Sequence, residues 1–410
     1  MYDWANSAFL CTIITAVYPI YFTQVAAGDL EPAVATARYA AATTLALAII
    51  ALLSPFLGAL ADYYAIRKRC LGFFLVLGVV STAGLGLVGR GDWVLGSVLF
   101  ILANIGASGS FVFYDSLLPH IASSEEIDKV STAGYALGYL GGGILLAVNL
   151  LWITKPDWFG LGDPETAMRV SFVSVAVWWG IFSIPLLLRV PEPPGVEQQS
   201  GNPMTVAATR LFATFRALKH YRHALLMLIA FLIYNDGIGT IIRMTSSYGT
   251  EIGLPRSALV GAILAVQFLG IPFTFAFGAL AARIGPKRSI LVALVIYSGV
   301  AVVAYRMTTV REFLVLALLV AVAQGGCQAL SRSLFASLVP EHKTTEFFGF
   351  FAVAEKFAGV AGSAVFAGLV ATTGSGRQAV LSIVFFFLIG GLLLSFVDVQ
   401  AGREARDRQP

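Results

Sequence analysis

The sequence predicts an all-α polytopic membrane protein, with twelve transmembrane helices arranged as two pseudo-symmetric halves of six. Three observations carry that expectation. The 410 residues are 58% hydrophobic and only 12% charged, with a mean hydropathy of +0.81, far from the composition of a soluble globular chain. Twelve apolar runs, each near the ~20 residues that cross a bilayer, follow one another with mostly short joints. Gly58–Lys68 also aligns without a gap with Gly278–Arg288 at an offset of 220 positions, so one structural unit is built twice.

The runs fall at 4–25, 38–61, 71–89, 93–117, 131–153 and 169–189, then at 223–247, 256–281, 288–306, 312–334, 346–370 and 377–398. The first lacks a basic leader and reads as a retained span rather than a cleaved signal. The halves thus occupy 1–189 and 223–398. Between them, 190–222 opens on Pro191-Glu192-Pro193-Pro194-Gly195, which stops a helix. It continues into Thr205–Tyr221, where Leu211, Phe212, Phe215 and Leu218 interleave with Arg210, Arg216 and Lys219. That pattern suits an amphipathic helix on the membrane surface, and its Leu/Phe face argues against a nucleic-acid arm. Residues 399–410 make a polar cytoplasmic tail. With both termini inside, the inner joints carry 17 of the 27 Lys and Arg residues and the outer joints 9, the bias of cytoplasmic loops. Asp115-Ser116-Leu117-Leu118-Pro119 ends the fourth run and Ala336-Ser337-Leu338-Val339-Pro340 the tenth, a second match between the halves.

Several function classes are excluded. A net charge of +4 spread among loops does not suggest nucleic acid. Cys11, Cys70 and Cys327 are far apart and imply neither disulfides nor a metal site. No G-x-x-x-x-G-K-[ST] loop is present for an ATP-driven pump, and no H-E-x-x-H or G-x-S-x-G for an enzyme. His120, His220, His223 and His342 all fall in inner joints. The expectation is a carrier without cofactor or metal, monomeric, working on a small solute with protons as the coupling ion.

Charged and amide side chains within a membrane turn toward a bundle interior or an aqueous cavity. Asn104, Ser108, Phe111 and Asp115 lie on one helical face of the fourth run. Asp236, Thr240 and Arg243 share a face of the seventh, with Asn235 beside them, and Gln324, Gln328 and Arg332 share one of the tenth. The first run supplies Asp3, Asn6, Ser7, Thr12 and Thr15; the eleventh adds Glu355 and Lys356. At 1.5 Å per residue, Asp236 and Lys356 lie about 20 and 15 Å from the inner ends of their runs, near the midplane. The expected substrate site is Asn104, Ser108, Tyr139, Asn235, Asp236, Thr240, Gln267, Gln324, Gln328 and Lys356. Lys356 is expected to face the cavity and pair with Asp236, while Glu355 meets a neighbouring helix; Asp236 and Glu355 are the candidates for proton coupling. Asp3, Asn6, Asp115 and Arg332, near the inner ends, are expected to form a gate together with Asp62 and Arg67. Gly134, Gly138 and Gly142 make a small-residue stripe that admits a close neighbour.

The two matched loops resemble the signature loop of the major facilitator superfamily, which joins the second and third helices of each half. Tyr2-Asp3-Trp4-Ala5-Asn6-Ser7-Ala8-Phe9 and Tyr234-Asn235-Asp236-Gly237-Ile238-Gly239-Thr240-Ile241-Ile242-Arg243 resemble the autophagy-linked vacuolar effluxer family and its bacterial relatives. So does Gln328-Ala329-Leu330-Ser331-Arg332-Ser333, running through Pro340 to Phe347-Phe348-Gly349-Phe350. Tyr63 and Ala65 depart from the superfamily loop, which prefers a basic residue and Gly there. The resemblance implies a secondary transporter, in yeast associated with amino-acid release from the vacuole. It also implies a loop carboxylate that latches the two halves, a role open to Asp62 and closed to its counterpart Ala282. A zwitterion such as an amino acid fits the amphoteric residue set. A sugar or nucleoside carrier, and a lipid-moving or non-transporting membrane protein, are the alternatives. The expected location is a bacterial inner membrane, or the vacuolar membrane in a eukaryote.

Overall fold

The computed structural model describes residues 1–123, 125–193, 221–251, 256–357, 360–373 and 376–407. The expected amphipathic helix at 205–221 lies, apart from its last residue, outside them. The described chain is helical, without strands, and follows the expected order. The first half comprises α1 (Tyr2–Ala26), α2 (Pro32–Tyr64), α3 (Arg67–Gly84), α4 (Trp93–Ser116), α5 (Ile127–Thr154) and α6 (Pro164–Arg189). The second comprises α7 (Arg222–Glu251), α8 (Arg256–Ile284), α9 (Pro286–Arg306), α10 (Val310–Leu338), α11 and α12 (Gly376–Ser395). Of α11 the structure describes Thr344–Phe357 and Val360–Thr373, on either side of residues 358–359. Eleven of the described helices are long and apolar enough to cross a membrane.

Local chemistry sets these boundaries. Thr309 caps α10 by accepting from the Glu312 N–H while Glu312 reaches back, a reciprocal capping box. Asp163 caps α6 through the Thr166 N–H at 2.9 Å. Inside α1, Pro19 has no N–H to donate and its ring crowds the carbonyl four residues back. The helix widens around it into π-helical stretches at Phe9–Ala16 and Phe22–Ala26, with the Val17 N–H reaching the Thr12 carbonyl at 2.9 Å. The α2–α3 joint is only Ala65-Ile66, and Ala65 occupies the left-handed region at φ 52°.

Buried apolar side chains form two clusters. One is drawn almost wholly from the first six helices, around Phe9, Tyr18, Phe100, Phe172 and Trp179. The other comes mostly from the last six, around Tyr234, Tyr297, Phe335, Phe351 and Phe387. The halves meet along α2 against α11 and α5 against α8 and α10. Leu52, Phe73, Leu188, Val295 and Phe385 point outward and are exposed, as a lipid-facing surface requires. The residues after α12 form a short helix, α13 (Val399–Asp407), whose Arg406 donates to the Ser337 carbonyl at the end of α10. Asp3 reaches the same end of α10 through Arg332. Both ends of the described chain therefore sit at one end of the bundle, hereafter the terminal face.

Candidate functional site

A cavity of about 730 Å³ lies between the halves, lined by α1, α4, α5, α7 and α10 with contributions from α8, α9, α11 and α12. Its floor is toward the terminal face, where Arg332 of α10 is the hub. Its guanidinium donates to Asp3 Oδ1 at 3.3 Å, to Asp115 Oδ1 at 2.9 Å, and to the Ser131 hydroxyl and carbonyl at 3.0 and 3.2 Å. It also lies over the Tyr135 ring at 4.6 Å, a cation–π contact. The Tyr114 hydroxyl donates to the second oxygen of Asp3. All four groups of the ion cluster's frame come from different helices, so Arg332 pins α10 of one half to α1, α4 and α5 of the other. A planar guanidinium with five fixed donors suits this arrangement; an ammonium does not. Gly134 faces Asp3 so closely that a Cβ there would strike the carboxylate, and a Cβ at Gly138 would crowd Ser7 at 2.7 Å and one at Gly142 both Ser7 and Cys11 at 2.9 Å. The glycine stripe is thus what lets α1 and α5 approach.

A second cross-link closes the terminal face. Asp62, at the end of α2, is fully buried; its Oδ1 accepts from Arg67 Nε at 2.6 Å and its Oδ2 from the Glu346 N–H of α11 at 3.0 Å. Arg67 continues to His120 Nε2 at 2.6 Å and to the Glu341 carbonyl at 3.5 Å. Arginine only donates, so Nε2 accepts and the imidazole proton sits on Nδ1. Burial, and then the Arg67 charge, push the His120 pKa down to about 4. Around these, Ser333 donates to Asp128 at 2.5 Å and Ser131 to the Ala329 carbonyl at 2.7 Å.

The structure gathers Asp3, Asn6, Asp115, Tyr139, Asn235 and Gln267 on the cavity wall, with Gln324, Gln328, Arg332 and Glu355. Asn235 accepts from Gln328 at 2.6 Å across α7 and α10. Four expected site residues are elsewhere. Asn104 donates to the Phe100 carbonyl of its own helix, and Ser108 is buried away from the cavity lining. Asp236 accepts from the Gly362 N–H of α11, and Thr240 donates to the Asp236 carbonyl. Adjacent helical residues point about 100° apart, so Asn235 takes the cavity and Asp236 the neighbouring helix. The side chain of Lys356, and with it the expected Asp236–Lys356 pair, lies outside what the structure describes. Glu355, expected to meet a neighbouring helix, lines the cavity. It continues the face of Phe348 and Phe351, which pack on Phe335 of α10 and, for Phe351, Phe231 of α7. Tyr114, Ser131 and His120 were not singled out from the sequence as gate residues; only their nearness to Asp115 and Asp128 could have flagged them.

Two six-helix units interlocked at one face around a central cavity define a polytopic membrane transporter of the major facilitator fold. The family profile described as "Vacuole effluxer Atg22 like" matches residues 33–407, and the chain belongs to that family. A Bacillus subtilis (strain 168) protein described as an uncharacterized MFS-type transporter, YxiO, is 36% identical over 412 residues, covering 100% of this chain and 96% of its own. Autophagy-related protein 22 of Yarrowia lipolytica is 25% identical over 309 residues, 67% of this chain and 51% of its own, so the chain spans about half of that relative. Among solved structures, a double-tryptophan variant of XylE matches with a TM-score of 0.77 at 15% identity, over 98% of this chain and 97% of that one, a likeness of fold. The Bacillus relative is described as a transporter, and XylE as a proton:xylose symporter.

Proposed function

We propose that the protein is a secondary carrier that moves a small polar or zwitterionic solute, an amino acid or a related amine, by alternating access coupled to protons and in the direction of efflux. The observation that supports this reading most is the floor of the cavity. The groups that face the solute, Asp3, Asp115 and Arg332, are the same groups that pin the halves together. A solute or proton that competes for those carboxylates weakens the closure directly, which links binding to opening. On this reading the structure is the state shut at the terminal face. The Lys/Arg bias supports a cytoplasmic position for that face, and the Bacillus relative favours a bacterial cell membrane. The working unit is a monomer, its halves 1–189 and 223–398 joined by a linker.

Proton carriage is assigned to Glu355, which faces the cavity, and to Asp236, whose carboxylate ties α7 to α11. The test is counterflow of radiolabelled amino acids in proteoliposomes, with and without an imposed pH gradient. Wild-type protein is expected to exchange solute and to accumulate it against the gradient. At saturating solute, Glu355→Gln and Asp236→Asn are expected to keep exchange and lose accumulation. Undiminished proton-driven accumulation in both would remove the coupling assignment, and movement of labelled lipid without solute exchange would remove the carrier reading.

A further inference from the structure

The walls of the cavity change character along its length, most clearly on α7 and α10. On α10 the lining face reads Arg332, Gln328 and Gln324, then Val320, Leu316 and Phe313. That is about 28 Å of one helix face at 1.5 Å per residue, polar toward the terminal face and apolar beyond. On α1 it reads Asp3, Asn6 and Ser7, then Leu10, Cys11, Ile14 and Thr15; on α7, Asn235 and then Ile241 and Ile242. The change from polar to apolar is thus clearest on α7 and α10, while Thr15 and Gln267 keep polar groups on the α1 and α8 walls.

The apolar end is also asymmetric between the halves. It reaches Val300 and Ala304 of α9 and Val380 and Ile383 of α12, which stand behind α7 and α10. The counterparts α3 and α6 contribute nothing to the described lining. Small residues at Ala301 and Ala317 open the space. No ionisable side chain is among the described lining residues of this branch. At the polar end, the described lining carries three carboxylates, Asp3, Asp115 and Glu355, and one guanidinium, that of Arg332, with Tyr135 and Tyr139 alongside.

We infer that the transported solute is an amphipathic organic cation: an ammonium head at the carboxylate floor and an aromatic or branched aliphatic body in the branch between α7, α9, α10 and α12. This inference rests on the carrier reading and narrows its solute. Excess carboxylate and tyrosine faces recognise an ammonium, and a carboxylate on the solute is not required. A wall whose described side chains carry no hydrogen-bonding groups disfavours a body rich in hydroxyls, since burying those unpaired is costly. It rewards apolar area, by roughly fourfold in affinity per buried methylene. The volume falls in the range of pockets that enclose drug-sized ligands, and a molecule as small as glycine leaves the branch unfilled.

The experiment measures binding of a matched amine series to the purified full-length protein by calorimetry, with counterflow of the bound amine as a second readout. The probes are ethylamine, 2-phenylethylamine and 2-(1-naphthyl)ethylamine, with 3-phenylpropionate as the carboxylate analogue and xylose as the hydroxyl-rich control. The naphthyl amine is expected to bind at least about 30-fold more tightly than ethylamine, and the carboxylate at least about tenfold more weakly than phenylethylamine, in line with methylene-scale and charge-pair effects. Ala317→Phe, which fills the branch, and Val300→Thr, which keeps its shape but adds a hydroxyl, are each expected to shrink the naphthyl-to-ethyl ratio. Glu355→Gln is expected to weaken every amine by a similar factor. A flat size series, or a naphthyl-to-ethyl ratio untouched in both branch variants, overturns the apolar subsite. Equal or tighter binding of the carboxylate overturns the cationic head. Amine binding that follows the series without counterflow leaves the subsite standing and sinks the carrier reading instead; amino-acid counterflow without amine binding does the reverse.

Discussion

Arg67 and Lys287 occupy the same place in two copies of one loop, 220 positions apart, and hold different things. Arg67 is buried and clasps Asp62, whose other oxygen takes the Glu346 N–H from the opposite half; Arg67 itself reaches the Glu341 carbonyl of that half. Lys287 stays within its own half, donating to the Ser395 and Val397 carbonyls at 2.7 Å each, where α12 ends. A cation at a helix C-terminus is a common stabilising contact. The glycine of each loop, by contrast, keeps one role. A Cβ at Gly58 would lie 2.8 Å from the carbonyl carbon of Thr345 in the other half, and one at Gly278 would lie 3.2 Å from Thr132 Cβ in the other half. Duplication preserved the close approach of the halves at both seams, while only one loop carries a polar lock. The second seam is locked from α10, by Arg332 and Ser333 on Ser131 and Asp128.

The largest expected difference comes from deleting the two cations. Arg67→Met strands the buried Asp62 carboxylate without its counter-ion, a kind of change that costs about 3–5 kcal/mol. Lys287→Met removes two hydrogen bonds from a half-buried group and is expected to cost about 1–2 kcal/mol. Thermal unfolding of the purified variants measures both, and equal losses would abolish the contrast between the loops. The carboxylate position sharpens it. Asp62→Asn retains an acceptor for Glu346 but not the charge facing Arg67, with an expected loss of about 2–3 kcal/mol and faster amide exchange at the start of α11. Ala282 is exposed, so Ala282→Asp is expected to leave exchange at the start of α5 unchanged. Protection gained there would show that the second loop can latch after all.

Acid tests the same lock through His120. Its pKa is held near 4 in the closed face, against an ordinary value of 6.5. Between those values the closed state binds fewer protons than an opened one, so closure weakens as pH falls from 6.5 toward 4 and does not change through this group above 6.5. Glu192 accepts from the Lys68 N–H, and its burial raises its carboxyl pKa, which gives the opposite sign. The difference between wild type and His120→Gln isolates the histidine. The protection factor for amide exchange at the α2–α3 joint is expected to fall on acidification in the wild type and to lose that slope in the variant, while the Lys287 loop shows no such slope in either.

Much of this was legible from the chain. Hydropathy alone located twelve spans, because a lipid-exposed helix must be apolar almost throughout, and the repeated loop set the two halves. Asp3, Asp115 and Arg332 could be grouped because charge at the end of a span stands out against that background. The apolar half of the α10 face, Val320 to Phe313, was invisible for the complementary reason: in a membrane helix an apolar residue facing a cavity looks like one facing lipid. Asn235 and Asp236 could not be told apart, since helical phase decides which is inside and spacing gives phase only relative to an already known face. His120 carries no signal of its own. It matters because folding sets it against Arg67, which lies 53 positions earlier.

The smallest expected effect returns to the loops' backbone. Ala65 and Gly285 are paired by the same offset and both have positive φ, 52° and 86°. They differ in ψ: 49° puts Ala65 in the left-handed helical well, whereas 155° puts Gly285 in a region that only glycine occupies without large strain. A Cβ at Gly285 would meet nothing within 4 Å, so Gly285→Ala tests conformation alone, with an expected loss of about 1–3 kcal/mol. Ala65→Gly relieves a left-handed alanine, worth about 1–2 kcal/mol, but frees the unfolded chain by about 0.4–1 kcal/mol. The net gain is therefore expected to be near 0.5–1 kcal/mol, seen as a slight rise in Tm. If Ala65→Gly instead loosens the terminal face by amide exchange, the alanine is stiffening the joint that presents Asp62 and Arg67. The departure from glycine would then belong to the lock, and the two loops would differ in backbone as well as in charge.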